Sequence, residues 1–307
     1  MQLAEIKKYY LDKRFYEFEQ GIPISGFTRK KLIHLFPLIA IKISRILDGY
    51  KLHIIDDKSE KTTKPIIFAF SHCHPEDPAI AFEVIKKHAY LFLGDPEDVY
   101  QKIEGLLLEL NGVIYLETRV KEEYIQELLD LKLITQNEID EIKKLIKQDR
   151  KIAYARAVEV LKNKTNLLIF PEGAVNLTPN LPVMGLYPGT VKMALETGAE
   201  IVPIALERYG KHIYANVGQN IRVTDRGAIS IQYYNEKLRD ALATLKWQIW
   251  ETQGTFSRTM LPTEEEFIKQ IMETSDFIYS VEDVYATMYK DKNIVTPEEV
   301  FTLKKHI

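Results

Sequence analysis

Short apolar runs alternate with segments of helical periodicity along the middle of the chain. Runs of about four to eight apolar or β-branched residues between turn-forming residues are typical of buried strands. Such runs occur at residues 64–71, 89–94, 113–117, 166–170 and 199–206. Helices are predicted between them, from Asp77-Pro78 to about His88, over 96–110 and over 189–197. This alternation predicts an α/β fold with a largely parallel central sheet flanked by helices, and with functional residues at the carboxyl ends of strands.

Helical additions are predicted before, within and after this core. Residues 121–163 are rich in Glu, Lys, Leu and Ile, and Thr135 and Glu138 have the spacing of a capping box that divides them into two helices. After about Tyr234 the pattern is helical again, with capping signals at 263–266 and 296–297. We therefore expect three regions: an N-terminal helical region over 1–63, an α/β core over 64–235 with the helical insertion 121–163, and a C-terminal helical layer over 236–307.

Residues 32–47 form the most apolar stretch near the start of the chain. The stretch is shorter than the roughly 20 apolar residues that a spanning helix needs, and Lys42 and Arg45 interrupt it. Apolar residues recur in it at helical spacing, at Leu32, Leu35, Ile39, Ile43 and Ile46. An amphipathic helix of this kind either packs on the core or lies in a membrane interface with its basic residues near anionic lipid head groups. The pattern leaves both interpretations open.

Composition and charge narrow the class of protein. The 307 residues are 46% hydrophobic and 28% charged, which suits a globular protein and excludes a disordered chain or a multispan membrane protein. The 41 basic and 44 acidic residues give a net charge of -3, so no global charge favours nucleic acid as a partner. The single cysteine, Cys73, excludes an intramolecular disulfide, and no apolar signal sequence follows the first lysines. We expect a cytoplasmic protein.

The segment SHCHPEDP at 71–78 is the first candidate for chemistry. His72 and Asp77 are separated by four residues at the exit of a predicted strand, so a tight turn can bring both side chains into one pocket. A carboxylate that holds an imidazole in one tautomer makes it a better base, as deprotonation of an alcohol at neutral pH requires. The same spacing also suits a structural turn with an aspartate cap.

Three further segments follow in order, each at or beside a predicted strand: GVIYLETR at 112–119, LLIFPEGAVN at 167–176 and IVPIAL at 201–206. Together with 71–78, they resemble the four ordered blocks of the glycerolipid acyltransferase family, the enzymes that acylate glycerol phosphate or lysophosphatidic acid. Those blocks are His-x-x-x-x-Asp, G-x-I-F-I-x-R, F-P-E-G-T-R and V-P-V/I. The resemblance covers about residues 64–219.

The resemblance implies a direct acyl transfer without an acyl-enzyme. His72 would act as the general base on an acceptor hydroxyl, and Asp77 would orient it. Arg119 would bind phosphate or carboxylate through its planar guanidinium. Glu172 would accept hydrogen bonds from acceptor hydroxyls or from backbone around the base, and Gly173 would let backbone approach the substrate closely.

One departure from the family pattern concerns the anion site. Where the family has Thr-Arg after the third block's glycine, this chain has Ala174-Val175, so the second anion-binding arginine is missing. Either Arg119 with Lys192 or Arg208 then carries the phosphate, or the acceptor is not the usual phosphorylated glycerol.

The resemblance also implies the partners. They are an acyl donor thioester, from acyl-CoA or an acyl carrier protein, and a lipid or glycerol-phosphate acceptor. The thioester is a co-substrate, and we expect no further cofactor and no metal. If residues 32–47 are interfacial, the protein would associate peripherally with the inner face of the membrane.

Two alternatives come from other classes of protein. His72, His74, Glu76 and Asp77 are potential metal ligands, so the first is a metal-dependent hydrolase. The second is a non-catalytic lipid-binding or scaffold protein that retains the same fold.

Overall fold

The computed structural model describes residues 38–94, 112–116, 135–178, 181–253 and 269, and the elements below lie within these ranges. The helices are α1 (38–47), α2 (Asp77–Ile85), α3 (Gln136–Lys162), α4 (Gly189–Thr197) and α5 (Ser230–Gln253). The strands are β1 (Lys51–Asp57), β2 (Ile66–Phe70), β3 (Ala89–Gly94), β4 (Val113–Leu116), β5 (Asn166–Ile169), β6 (Glu200–Tyr209), β7 (His212–Val217) and β8 (Ile221–Arg222).

These strands form one mixed sheet in the order β1-β7-β6-β2-β5-β3-β4, with β8 paired to β6 off this path. Within this order, the four consecutive pairs from β6 through β2, β5 and β3 to β4 are parallel. Strands β7 and β8 run antiparallel to β6, and β1 runs parallel to β7. The predicted fold class, a largely parallel central sheet flanked by helices, is confirmed.

The sheet is covered on both faces, which explains why β2 is buried at every position. Side chains alternate along a strand, so Ile66, Phe68 and Phe70 pack in the cluster that contains residues of α1 and α2. Ile67 and Ala69 pack in a second cluster with residues of α3, α4 and α5. A continuous apolar run is therefore the expected sequence of this strand.

The predicted helices that fall within the described residues lie close to their expected bounds. Helix α2 begins at Asp77 with a proline in its first turn, although it ends at Ile85 rather than near His88. Helix α4 spans the predicted residues and is followed by Gly198, whose φ of 69° suits a left-handed cap. Helix α3 begins one residue after Thr135, where the capping pattern predicts a helix start. The predicted helix at 96–110, the first part of the insertion, and the capping signals at 263–266 and 296–297 lie outside the described residues.

The sequence pattern does not predict strand β1, which lies in the region 1–63 that was expected to be helical. Most of its residues are exposed because it is an edge strand paired only with β7 among the described strands, so its apolar positions do not follow the core. The C-terminal division is also affected, since α5 begins at Ser230 and crosses the expected boundary between 235 and 236. The three-region division otherwise stays a prediction.

Helix α1 is attached to the molecule by its polar side as well as by apolar contacts. Ile41 is buried against the α2 face of the core. The guanidinium of Arg45 donates to both carboxylate oxygens of Glu83 in α2, at 2.6 and 2.8 Å, and to the carbonyl oxygen of Tyr50 at 2.5 Å. Arg45 is therefore a structural anchor. No helix in the described part of the chain combines the length and apolar character needed to cross a bilayer.

Candidate active site

The candidate site lies where β2 and β5, two neighbouring parallel strands, end at the same edge of the sheet. The segment after β2 carries His72, and the segment after β5 carries the Phe-Pro-Glu-Gly turn. The His72 ring packs against the Phe170 ring, with 4.4 Å between the two centroids. The first and third sequence blocks are thus in direct contact.

His72 and Asp77 form a hydrogen-bonded pair. The Nδ1 atom of His72 lies 3.1 Å from Oδ2 of Asp77, and the His72 side chain is 12% exposed whereas that of Asp77 is fully buried. Because an ionised carboxylate can only accept, Nδ1 carries the proton of the neutral ring, and Nε2 is left unprotonated on the side away from Asp77. An unprotonated Nε2 on a partly exposed ring is the atom that a general base requires.

The loop backbone holds the Asp77 carboxylate in place. Its Oδ2 atom also accepts from the backbone N–H groups of Cys73 and His74, at 2.7 and 2.8 Å. Burial by itself would raise the pKa of Asp77, but the hydrogen bond and charge of His72, together with the nearby Arg208 guanidinium, lower that pKa to about 2. Asp77 is therefore ionised at neutral pH.

Glu172 joins three segments of the site through its two carboxylate oxygens. Oε1 accepts from the backbone N–H of His72 at 2.9 Å, and Oε2 accepts from the backbone N–H of Met184 at 2.8 Å. The side chain is fully buried, and this burial raises the pKa of the carboxyl group, an effect that the two N–H donors oppose. Of the two roles predicted for Glu172, the structure contains the contact with backbone around the base.

Gly173 turns the chain directly after Glu172. Its φ is +66°, and a Cβ atom there would lie 2.6 Å from the Tyr187 ring, so both the backbone angle and the neighbouring ring favour glycine. Tyr187 is 59% exposed, so an aromatic ring covers the turn at the edge of the site. In the structure the group close to Gly173 is this ring, and the predicted approach of the Gly173 backbone to the substrate stays a prediction.

Asn176 is a part of the site that the sequence analysis did not single out. Its backbone N–H donates to the carbonyl oxygen of His72 at 2.7 Å, and its buried side chain donates to the carbonyl oxygen of Leu181 at 2.9 Å. Together with Glu172, it fixes the backbone of His72 on both sides. An asparagine three residues after the glycine of the third block is the only sequence signal for this role.

A second group of buried charges lies at the end of β6 and belongs partly to α5. The Nζ atom of Lys246 is 3.3 Å from Oε2 of Glu207 and donates to the carbonyl oxygen of Leu206 at 2.8 Å. The indole N–H of Trp250 donates to the same Glu207 oxygen at 2.7 Å. Leu206 also exchanges hydrogen bonds with Ser71, the residue before His72. Hydrogen bonds through Leu206 thus connect Lys246 to Ser71 at the start of the His72 loop.

The other predicted site residues have different positions. Arg119 lies outside the described residues. Lys192 lies on the exposed face of α4 and forms no ion pair with the described residues. Both stay predictions as phosphate ligands.

Asp77 and His74, two of the potential metal ligands, accept hydrogen bonds from the protein. Asp77 accepts from His72 and from two backbone N–H groups, and Nδ1 of His74 accepts from the backbone N–H of Glu76 at 3.2 Å. In the described ranges, no group of three or more His, Cys, Asp or Glu side chains is arranged to hold a metal ion. Burial, followed by the charge of Asp77, raises the pKa of the Cys73 thiol well above its ordinary value, so this thiol is protonated at neutral pH.

Comparisons with known proteins concern the family and the fold of the chain. A family model described as Acyltransferase matches residues 51–207 of the chain. Among solved structures, the chain is similar to the crystal structure of the 1-acyl-sn-glycerophosphate (LPA) acyltransferase PlsC from Thermotoga maritima, with a TM-score of 0.50 and 13% identity. The similarity covers 82% of this chain and 93% of that one, and at this identity it is a likeness of fold. A search of curated proteins finds no match.

Proposed function

The chain belongs to the acyltransferase family, and we propose that it moves a fatty acyl group from a thioester donor to a hydroxyl of a glycerolipid-type acceptor. The observation that carries the proposal is the His72–Asp77 pair, joined at 3.1 Å beside the Phe-Pro-Glu-Gly turn of the third block. The fold likeness to a lysophosphatidic acid acyltransferase supports lysophosphatidic acid as the acceptor, and the resemblance of the four sequence blocks adds glycerol phosphate as the other candidate.

In the proposed mechanism, His72 is the general base. Its Nε2 takes the proton of the acceptor hydroxyl while that oxygen attacks the thioester carbonyl carbon, so a C–O bond forms and the C–S bond breaks. The proton on His72 then passes to the leaving thiolate sulfur. Asp77 remains ionised and stabilises the imidazolium that forms between the two steps.

Glu172 supports this chemistry through the backbone. Since its two oxygens accept from the N–H groups of His72 and Met184, we assign it the role of holding the base in position. Arg119 and Lys192 remain the proposed ligands for an acceptor phosphate. The donor is either acyl-CoA or an acyl carrier protein thioester.

The decisive experiment is an acyl-transfer assay with labelled acyl-CoA and acyl-carrier-protein donors against a panel of lysolipids and glycerol phosphate. We expect transfer to at least one acceptor, and a fall in turnover of roughly a hundredfold to ten-thousandfold in His72→Ala, because a positioned base contributes about that much. Lys61→Ala, at an exposed position, is the matched control. Absence of transfer to every acceptor would favour the non-catalytic lipid-binding alternative, and full activity of His72→Ala would exclude the mechanism.

We further propose that α1 binds the surface of an anionic membrane. Its apolar stripe does not face the core: the exposed fractions are 49% for Ile39, 52% for Ile43, 55% for Ile46 and 80% for Leu47. Lys42 is exposed on the same helix. Exposed apolar side chains beside a basic residue are typical of an interfacial helix, and a long-chain acyl substrate partitions into bilayers.

Vesicle co-sedimentation tests this membrane proposal. Each isoleucine contributes about 1.5 kcal/mol or more when fully buried, so Ile43→Ser with Ile46→Ser should weaken binding to anionic vesicles at least about tenfold. Ile229→Ser, which removes another exposed isoleucine, is the control. Arg45 is unsuitable for this test because its substitution would detach α1 from Glu83. A wild-type protein that ignores anionic vesicles at low salt would exclude the proposal.

A further inference from the structure

A buried arginine at the end of β6 lies next to the dyad, one residue beyond the family match. The side chain of Arg208 is 11% exposed, and its Nη1 atom lies 3.1 Å from Oε2 of Glu76. Its Nε atom lies 3.8 Å from Oδ1 of Asp77. The guanidinium carbon also lies 5.3 Å from the centre of the Tyr50 ring. These three neighbours, Glu76, Asp77 and Tyr50, hold the guanidinium in place on the Asp77 side of the site.

The two oxygens of Asp77 have different partners. His72 and the loop N–H groups meet Oδ2, whereas Arg208 approaches Oδ1. His72 presents Nε2 on the side of its ring away from Asp77, so an acceptor hydroxyl must lie on that side. The guanidinium therefore stands behind the carboxylate, with Asp77 and the imidazole between it and the acceptor.

The remaining donors of Arg208 are closed to a substrate. Its Nε and Nη2 atoms are buried and form no hydrogen bond with any residue that the structure describes. An acceptor phosphate would have to enter a space already bounded by Asp77, Glu76 and Tyr50. This argues against Arg208 as the phosphate ligand that replaces the arginine missing at Ala174-Val175.

We propose instead that Arg208 is a positioning residue, which fixes the Asp77 carboxylate so that Asp77 can orient His72; this inference rests on the proposed acyltransferase function. A fully buried carboxylate is stable only when its charge is compensated, and arginine keeps its charge at every accessible pH. The compensation matters most while His72 is neutral, because the buried carboxylate then has no charge from the imidazole to balance its own. An Asp77 kept ionised and fixed in this way is ready to stabilise the imidazolium when His72 takes the proton.

The test compares Arg208→Gln and Arg208→Lys with Lys211→Gln. Lys211 is a matched control, since it is an exposed cation over the same Tyr50 ring and donates to the carbonyl oxygen of Asp48 rather than to the dyad. We expect kcat to fall about tenfold or more in Arg208→Gln, within the contribution of a positioned base. Acceptor KM should change less than about twofold. Arg208→Lys should recover part of kcat, and Lys211→Gln should behave as wild type.

A spectroscopic measurement answers the same question without activity. The hydrogen-bonded Nδ1–H proton of His72, identified by its loss in His72→Gln, should give a downfield NMR signal in wild type that weakens or vanishes in Arg208→Gln. Guanidinium added to an Arg208→Ala variant should restore kcat. Neither effect is expected if Arg208 only stabilises the fold.

The outcomes separate the two proposals. A raised acceptor KM with unchanged kcat would assign Arg208 to phosphate binding and overturn the positioning role. Wild-type kcat, or an unaltered Nδ1–H signal, in a folded Arg208→Gln protein would also overturn it. If the wild type transfers no acyl group, the proposed function fails, whereas a lost Nδ1–H signal in Arg208→Gln would still support the assignment of Arg208 to the His72–Asp77 pair.

Discussion

At the scale of single residues, Asp77 connects the site to the stability of the fold. Its pKa falls from an ordinary value of 3.8 to about 2, so its ionised form stabilises the folded state above the ordinary value, and that stabilisation is lost as the pH falls towards about 2. Asp77→Asn should therefore lower the free energy of unfolding by about 2 kcal/mol at neutral pH. Urea unfolding should show the difference from wild type narrowing between about pH 4 and pH 2.

A control substitution tests whether the loss of stability is specific to Asp77 or follows from removing any aspartate. Asp140→Asn removes an exposed aspartate on α3 and should change the stability by less than about 0.5 kcal/mol. A constant difference between wild type and Asp77→Asn over the whole acid range would contradict the assigned cause.

Cys73 gives a second prediction at this scale. Because burial and the charge of Asp77 raise the pKa of its thiol, little thiolate is present near neutral pH. A thiol reagent should react with the native protein much more slowly than with the unfolded chain, and Cys73→Ala should keep most of the transfer activity because the backbone N–H to Asp77 remains. Rapid reaction of the native thiol, or inactivity of a folded Cys73→Ala, would point to a nucleophilic role.

The sequence predicted the dyad because a spacing of four residues after a strand leaves few conformations for the turn. It did not determine the partners of Glu172, since a carboxylate in a turn accepts equally from substrate or backbone. Arg208 and Asn176 depend on contacts across the sheet and between loops. The spacing of residues along the chain does not predict such contacts.

At the scale of elements, the buried ion pair between β6 and α5 predicts the largest change in stability. Lys246 is fully buried and Glu207 nearly so. Removing one member of such a pair typically destabilises by about 3–5 kcal/mol, because the other charge is left buried without compensation. Lys246→Met should therefore lower the free energy of unfolding by about this amount in denaturant titrations.

The double variant and a surface control complete the experiment. Lys246→Met with Glu207→Gln should be less destabilised than Lys246→Met alone, since the amide oxygen still accepts from Trp250. Lys237→Met, on the exposed face of α5, should be close to wild type. Glu207→Gln alone completes the cycle, and a double variant destabilised by the sum of the two single effects would show that the pair is not coupled.

The elements that could be predicted from the sequence are those whose pattern of apolar and polar residues follows their burial in the fold. Strand β2 and helix α4 have the apolar pattern or caps that their surroundings demand. Strand β1 was not predicted because it is an exposed edge strand whose position depends on its pairing with β7. Lys51 pairs with His212, more than 150 residues further along the chain, so the local sequence does not indicate this contact. The antiparallel return of β7 likewise depends on the tight β6–β7 connection at Gly210 and Lys211, which no strand–helix alternation indicates.

At the scale of the whole molecule, tryptophan fluorescence and cysteine reactivity can report unfolding of two different regions of the chain. Both tryptophans, Trp247 and Trp250, lie in α5, and the single cysteine lies in the loop after β2. Since α5 packs on β6 and contacts it through Glu207, we expect these regions to unfold together. Tryptophan fluorescence and Cys73 reactivity should give the same urea midpoint. Fluorescence that changes first would show that α5 detaches before the sheet unfolds.

Glu207, Lys246 and Trp250 also limit how this chain can be recombined with its relatives. The carboxylate lies at the last position of the family match, and both of its partners lie outside that match. A crossover placed anywhere between 209 and 245 separates Glu207 from Lys246 and Trp250, the two residues that pair with its buried carboxylate. Chimeras with such a crossover should fold only when the donor supplies a compatible set, so these three positions are expected to be inherited together.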